Sequence, residues 1–340
     1  MTRRWLTAGI GLVAFLFIAG YALSEELHTS RALGPIDVRA TQITSFDTRD
    51  PAQLRFGALE FRGGLALTSS DPAFGGISAL HMEPDGSHFL ALTDNGSWLR
   101  ARIVYEDGKP AGIADAEMAP MLGPDGRPLA APGWFDTESL AEADGMLYVG
   151  IERVEKIVRF NYRRDGLKAR GEPIPVPDDF KTFTFNKSLE CLTVPPPGAP
   201  LAGVLIGVTE RSLDAQGNHR SYLLKGDKVA RFSVKRSDGF DVSDCTILPP
   251  ADLLLLERSY TRLRNIRMRI RRIPLAMIKP DTMIDGKVLI VADFAYQIDN
   301  MEGIAVHRNA DGETIITLVS DDNFSFIQRN LLLQFALVGD

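Results

Sequence analysis

Five times along the chain an alternating apolar strand runs into an acidic residue, and nothing else in the sequence restricts the fold as much. PDGSHFLALTDNG (84–96), ADGMLYVGIERVE (143–155) and ADGETIITLVSDDN (310–323) share an Asp-Gly turn, a strand and a terminal acid. GVLIGVTERS (203–212) and ADLLLLERSY (251–260) keep the strand and the acid without the Asp-Gly. Alternation of period two marks a strand with one buried face. The terminal acids are Asp94, Glu152, Glu210, Glu257 and Asp321, spaced by 58, 58, 47 and 64 residues. Upstream of each lies a second strand start: GGISAL (75–80), DTESLA (136–141), KSLECL (187–192), VSDCTI (242–247) and MEGIAV (301–306). Self-similarity at this period, without an amphipathic helical stretch past the N-terminus, predicts an all-β fold. It is a β-propeller of five four-stranded blades, with six blades as the alternative.

The flanks fit that reading. LRFGALEFRGGLAL (54–67) supplies strands ahead of the first signature and is expected to complete the last blade beside NLLLQFAL (330–337). Residues 25–53 read as a polar tether. At the N-terminus, Arg3 and Arg4 precede an apolar run from Trp5 to Ala19, and Ala22 and Ser24 stand at a cleavage spacing. Residues 1–24 are therefore expected to be a secretory signal, with an uncleaved inner-membrane anchor as the alternative. Either way the propeller lies outside the cytoplasm, in the periplasm or beyond. In that oxidising setting Cys191 and Cys245 could pair. As interior residues of neighbouring repeats, however, they are expected to lie too far apart for a bridge and to be buried free thiols.

Inner strands of a propeller line its channel, so acids repeated at one point of each unit converge. Crowded carboxylates repel and burial raises their pKa values, unless a cation or an arginine compensates. Glu302 in NMEGIAV is such an acid. Arg153, Arg211 and Arg258 directly follow three of the terminal acids, and Lys187 opens KSLECL. Two readings follow: a network that locks blades together, or hard cations on oxygen ligands beside arginines that grip an anion. On the residues alone the network leads. The run RLRNIRMRIRRI (262–273), six arginines alternating with apolar residues, reads as a half-exposed outer strand. With 38 basic against 44 acidic residues and a net charge of −6, the chain has no basic excess for nucleic acid. There is no nucleophile elbow, no P-loop and no zinc spacing.

FGGISAL, DTESLA, LLLLERSY, DFAYQIDNMEGIAV and LVSDDNFSFIQRNLLLQFAL, in this order between Phe56 and Leu337, resemble the phytase-like domain. That family carries the description esterase-like activity of phytase, and its members are largely bacterial and exported. The resemblance implies a propeller that hydrolyses phosphate esters or related esters. A divalent metal, with calcium expected, would be held by Glu152, Glu190, Glu210, Asp244, Glu257 and Asp321. Glu138 or Glu302 would act as general base, and Arg153, Arg211, Arg258 and Lys187 would bind a small anionic or ester substrate. Gly75 stands where the other repeats carry an acid, which leaves the ring incomplete at the first blade. A monomer is expected, with a membrane contact only through an uncleaved N-terminus. The alternatives are a non-catalytic envelope propeller that binds a ligand or protein, and a calcium-dependent lactonase-type ester hydrolase.

Overall fold

The structure is a computed structural model describing residues 33–261 and 265–339. The expected signal, residues 1–24, lies outside the described residues. Strands β1 (Gly34–Pro35), β2 (Arg39–Ile43), β3 (Arg55–Phe56) and β4 (Leu59–Thr68) come first. The first blade is β5 (Ile77–Met82), β6 (His88–Thr93), β7 (Ser97–Glu106) and β8 (Lys109–Pro120). The second is β9 (Thr137–Ala143), β10 (Met146–Ile151), β11 (Lys156–Asn161) and β12 (Gly171–Pro173). The third is β13 (Leu189–Thr193), β14 (Leu205–Leu213), β15 (His219–Lys225) and β16 (Lys228–Val234). The fourth comprises β17 (Asp241–Leu248), β18 (Asp252–Thr261) and β19 (Asn265–Pro274). After β20 (Met283–Ile284), which extends the third blade, the fourth ends with β21 (Lys287–Asp293). The fifth is β22 (Asn300–Arg308), β23 (Thr314–Asp321) and β24 (Asn330–Leu337), completed from the N-terminus by β4 and then β2.

The innermost strands touch in cyclic order, β5 to β9 to β13 to β17 to β22 and back to β5, so the five sheets form a closed ring. Closure follows the expected route: β24 pairs with β4, Asn330 opposite Leu67 and Leu337 opposite Leu59. The stretch expected to be a tether is partly strand. β2 caps β4 (Arg39 opposite Thr68), and β1 caps β8 (Gly34 opposite Met118). Both edges would otherwise present unpaired backbone, and a half-exposed outermost strand has no need of an apolar sequence.

Five apolar clusters fill the five interfaces between neighbouring blades. Leu254 and Leu256 face the fifth blade, while Leu253 and Leu255 face the third. A sheet covered on both faces has no polar alternation to keep, which explains the unbroken LLLL of β18.

Cys191 on β13 and Cys245 on β17 form a disulfide, with Cα atoms 5.1 Å apart. The expectation of free thiols is thus overturned: adjacent inner strands approach one another closely near the axis, inside the range a bridge needs. The arginine-rich run is also placed differently. β19 is the third strand of its blade, not its edge, and Arg269 and Arg271 are buried.

Candidate active site at the channel mouth

Each inner strand carries one β-bulge near its start, at Ser78, Glu138, Glu190, Ser243 and Glu302. A bulge breaks the alternation and re-aims a side chain. Beside these residues stand Asp94, Glu152, Glu210, Arg258 and Asp321, within or just past the second strands. They lie opposite Gly76, Asp136, Ser188, Asp241 and Asn300. The first blade therefore contributes Ser78 and Asp94. Near Gly75 the fifth blade supplies a carboxylate instead: Gly76 N donates to Asp322 Oδ1 at 3.0 Å, and a Cβ on Gly75 would meet that oxygen at 2.8 Å.

The fourth blade departs from the sequence alignment by one residue on both strands. Glu257 pairs with Val242, level with Thr209 opposite Leu189 and Ser320 opposite Met301, so Arg258 holds the place of Glu210 and Asp321. One residue of slip turns a strand side chain to the other face. Glu257 is accordingly fully buried away from the mouth. Arg269 reaches its carboxylate at 2.8 and 2.9 Å, and Arg271 at 2.8 and 2.7 Å. Asp244, one residue past the bulge, accepts Ile304 N and Cys245 N at 2.7 Å each and ties the fourth blade to the fifth. Neither of these two expected metal ligands lines the channel mouth. The similarity of TERS to LERS concealed the slip, because a bulge leaves no mark in sequence.

The mouth is a cavity of about 800 Å³. Ten carboxylates line it: Asp94, Asp136, Glu138, Glu152, Glu190, Glu210, Asp241, Asp299, Glu302 and Asp321. Three cations face them: Lys187, Arg211 and Arg258. Of these acids, Asp136, Asp241 and Asp299 had not been picked out from sequence; Asp136 opens DTESLA, two residues before Glu138. Arg153 sits beside the cavity, donating to Asp136 Oδ2 at 2.7 Å and stacking 4.3 Å over the Phe135 ring.

Charge is unevenly distributed around the ring. On the side of the third, fourth and fifth blades, Arg258 pairs with Glu302, approaches Glu210 at 3.4 Å and donates to Asn300 Oδ1 at 3.0 Å. Asn300 Nδ2 in turn donates to Glu302 Oε1 at 2.8 Å and to Asp321 Oδ2 at 3.2 Å. Lys187 meets Glu210 at 2.6 Å, while Asp241 binds Arg211 and, at 2.6 Å, Arg236. On the side of the second and third blades, Arg153 pairs with Asp136 and Lys187 with Glu210 against a cluster of five carboxylates. Oxygens of Asp136, Glu138 and Glu152 lie within 4.8 Å of one another, as do those of Glu152, Glu190 and Glu210. Glu152 is shared by both groups, and its Oε1 also accepts Ser188 N at 2.7 Å.

Titration is shifted around the whole mouth. Burial, reinforced by neighbouring carboxylates, pushes Glu138, Glu190 and Asp94 well above the usual carboxylate range. Burial, with Asp136 and Glu210 nearby, raises Glu152 to about 7 despite its backbone hydrogen bond. Burial raises Asp321 to about 6. Carboxylates that resist ionisation because like charges share their space form the donor set a hard divalent cation favours. The residues present fit such an ion.

A five-bladed β-propeller with a crowded acidic channel mouth is the class that fold and site define. Residues 72–324 match the Phytase-like family, described as esterase-like activity of phytase, and the chain belongs to it. Among solved structures, the chain is similar to the PQQ-bound aldose sugar dehydrogenase of Streptomyces coelicolor. The TM-score is 0.42 at 13% identity, covering 89% of this chain and 99% of that one. It is also similar to the glutaminyl cyclase of Myxococcus xanthus, with a TM-score of 0.42 at 12% identity, covering 90% and 100%. No curated protein matches the chain.

Proposed function

We propose that the channel mouth is a metal-assisted hydrolytic site for phosphate esters or related esters. The observation that carries the reading is the imbalance of ten carboxylates against three cations in one cavity, concentrated where the second and third blades meet. Asp136, Glu152, Glu190 and Glu210 would hold a divalent cation, calcium being the candidate their all-oxygen donors suit. Bound there, the ion supplies neutralising charge and polarises a substrate oxygen.

The chain's own residues provide the rest. Arg258 and Lys187 hold positive charge at the edge of the acid cluster, where an anionic group finds donors, and Arg211 stands half-exposed at the rim. Glu138 is partly open to the cavity and is the residue placed to take a proton from attacking water. Glu138 takes one proton as the water oxygen bonds to the phosphorus or acyl carbon, and returns it to the ester oxygen as that bond breaks, so that the alcohol leaves and the second water proton stays with the new acid. Glu302, the other expected base, is engaged by Arg258 and Asn300 and serves to position that arginine.

Calcium titration by calorimetry, joined to a phosphatase and esterase substrate panel, tests the reading. Micromolar to millimolar binding and calcium-dependent turnover are expected, both weakened at least tenfold in Glu190→Gln. A protein that binds no divalent ion and hydrolyses nothing would leave the acids as blade locks, as the Glu152 bond to Ser188 N already is.

We also propose export. A disulfide between fully buried cysteines suits an oxidising compartment. N-terminal sequencing of envelope material distinguishes cleavage, which begins the chain near Glu25, from an anchor that retains Met1 or Thr2.

A further inference from the structure

All five exposed aromatic side chains among the described residues stand around the acidic mouth: Phe185, Tyr260, Phe294, Phe324 and Phe326. Tyr260 and Phe294 line the cavity, as does Ile327, which is 63% exposed. Phe185 precedes the lining residue Asn186, and Phe324 follows the lining residue Asn323. Phe326 is fully exposed beside Ile327. The side chains come from the end of strand β18 (Tyr260) and from loops of the third, fourth and fifth blades, so no single strand pattern produces them. Exposed apolar residues elsewhere are aliphatic and lie away from this mouth, such as Val229 and Val288 on the outer strands β16 and β21.

The loop that carries two of these rings is held under strain. Asn323 and Phe324 both take left-handed backbone, φ 47° and 50°, which is costly for a bulky residue. Two acids hold it: Asp321 Oδ1 accepts Asn323 N at 2.6 Å, and Asp322 Oδ1 accepts Phe324 N at 3.1 Å. The Phe324 side chain is 41% exposed, and its ring edge lies over Gly76, where a Cβ would come within 2.5 Å. The same acids that build the mouth therefore also present its apolar rim.

We infer that the substrate is an ester with a large apolar or aromatic group beside the scissile bond and at most one anionic group. This rests on the hydrolytic reading of the mouth and narrows it. The rim covers the apolar group, gaining burial and ring contacts, while the scissile bond reaches the acidic floor. A densely phosphorylated polyol is disfavoured on two counts. The floor has no positive surplus to receive several phosphates, and the rim guanidinium Arg211 is already engaged by Asp241. Arg258 and Lys187 provide for one anionic group.

The test compares four compounds on calcium-loaded protein: 1-naphthyl phosphate, 1-naphthyl acetate, glycerol phosphate and inositol hexakisphosphate. Binding is read by naphthyl fluorescence and calorimetry, separately from turnover. A naphthyl compound is expected to be preferred over glycerol phosphate and inositol hexakisphosphate by tenfold or more. The double substitution Tyr260→Ala with Phe294→Ala, both solvent-facing, should remove most of that preference by raising KM rather than lowering kcat. Naphthyl binding without any turnover would sink the hydrolytic proposal and keep the rim as an apolar ligand site. A preference for inositol hexakisphosphate, or naphthyl selectivity unchanged in the double variant, overturns the inference. So does sedimentation with phosphatidylglycerol vesicles that Phe326→Ala abolishes while naphthyl binding is absent, because the rim then belongs to a lipid surface.

Discussion

Glu190 and Glu257 are both expected metal ligands on sequence, yet their surroundings give opposite consequences for the same change. Glu257 neutralises two buried guanidinium groups, Arg269 and Arg271. Removing its charge leaves them only the more exposed carboxylates of Asp238 and Asp285, a cost of about 3–5 kcal/mol. Glu190 sits among like charges, so Glu190→Gln should stabilise the calcium-free protein. Urea unfolding of the two variants reads the signs directly; a neutral Glu257→Gln that instead weakens calcium binding would place residue 257 in the channel after all. Titration gives a second handle. Glu152 and Glu155 are each raised by burial to about 7, so the folded state keeps protons there that the unfolded chain has released. Stability bound up in those protons falls as pH rises toward and through 7. Buried His219 is pushed down to about 4 by desolvation and opposes this trend only below about 6.5, the unfolded value for histidine. Between about pH 5 and 7.5 the melting temperature of the metal-free protein should therefore fall, flattening above that, and less steeply in Glu152→Gln. Added calcium should restore more stability at the upper end, because protons no longer compete for the ligands. A flat or rising profile without metal would contradict the crowding of the acids.

At the scale of the strand, the alternating runs and the acids that end them are legible in sequence, because burial of a face imposes a period and turn chemistry closes it. Register is less legible. Four of the five repeats were aligned as the structure has them at the strand-end acid, but in the fourth the shared Glu-Arg outweighed a bulge at Ser243 that carries no signature. That single slip misplaced Asp244 and Glu257, and hid Arg258 as the one cation in a position that is acidic in the other four blades. The disulfide was missed for a related reason. Spacing in sequence gives the repeat but not how near β13 and β17 come at the axis. The bridge joins the inner strands that carry Glu190 and Asp244, across 54 residues. On the chain-entropy account it is worth about 4 kcal/mol. Paired replacement of Cys191 and Cys245 by Ala should cost about that much in unfolding free energy. It should also weaken calcium binding, since the strand start holding Glu190 loses its tie. A pair variant with the parent's unfolding midpoint would show that interface packing alone fixes these strands.

Closure of the whole ring depends on strands from opposite ends of the described chain. That much was readable, because LRFGALEFRGGLAL has strand pattern without a repeat signature and the fifth repeat needs a further strand beside NLLLQFAL. The contribution of the polar stretch before it was not, since outermost strands need backbone pairing and little else. The two N-terminal pieces should therefore differ sharply when removed. Deleting everything before Phe46 takes away β1 and β2, whose side chains are exposed or half-buried. The ring stays shut, and a modest loss of stability is expected. Deleting everything before Ser69 also removes Leu59, Phe61, Leu65 and Leu67, all buried against the last two blades or the first. At about 1.5–3 kcal/mol for each large apolar side chain, those four represent about 6–12 kcal/mol. That is comparable with the entire stability of an ordinary domain, about 5–15 kcal/mol. The β24 edge would also be left unpaired beside a ring with a gap. The shorter chain should fail to fold or aggregate, judged by circular dichroism and size-exclusion chromatography, and the longer one should remain a folded species that still responds to calcium. If the chain beginning at Ser69 unfolds at the parent's temperature, β24 closes the ring without β4, and the pairing of Asn330 with Leu67 is dispensable to the fold.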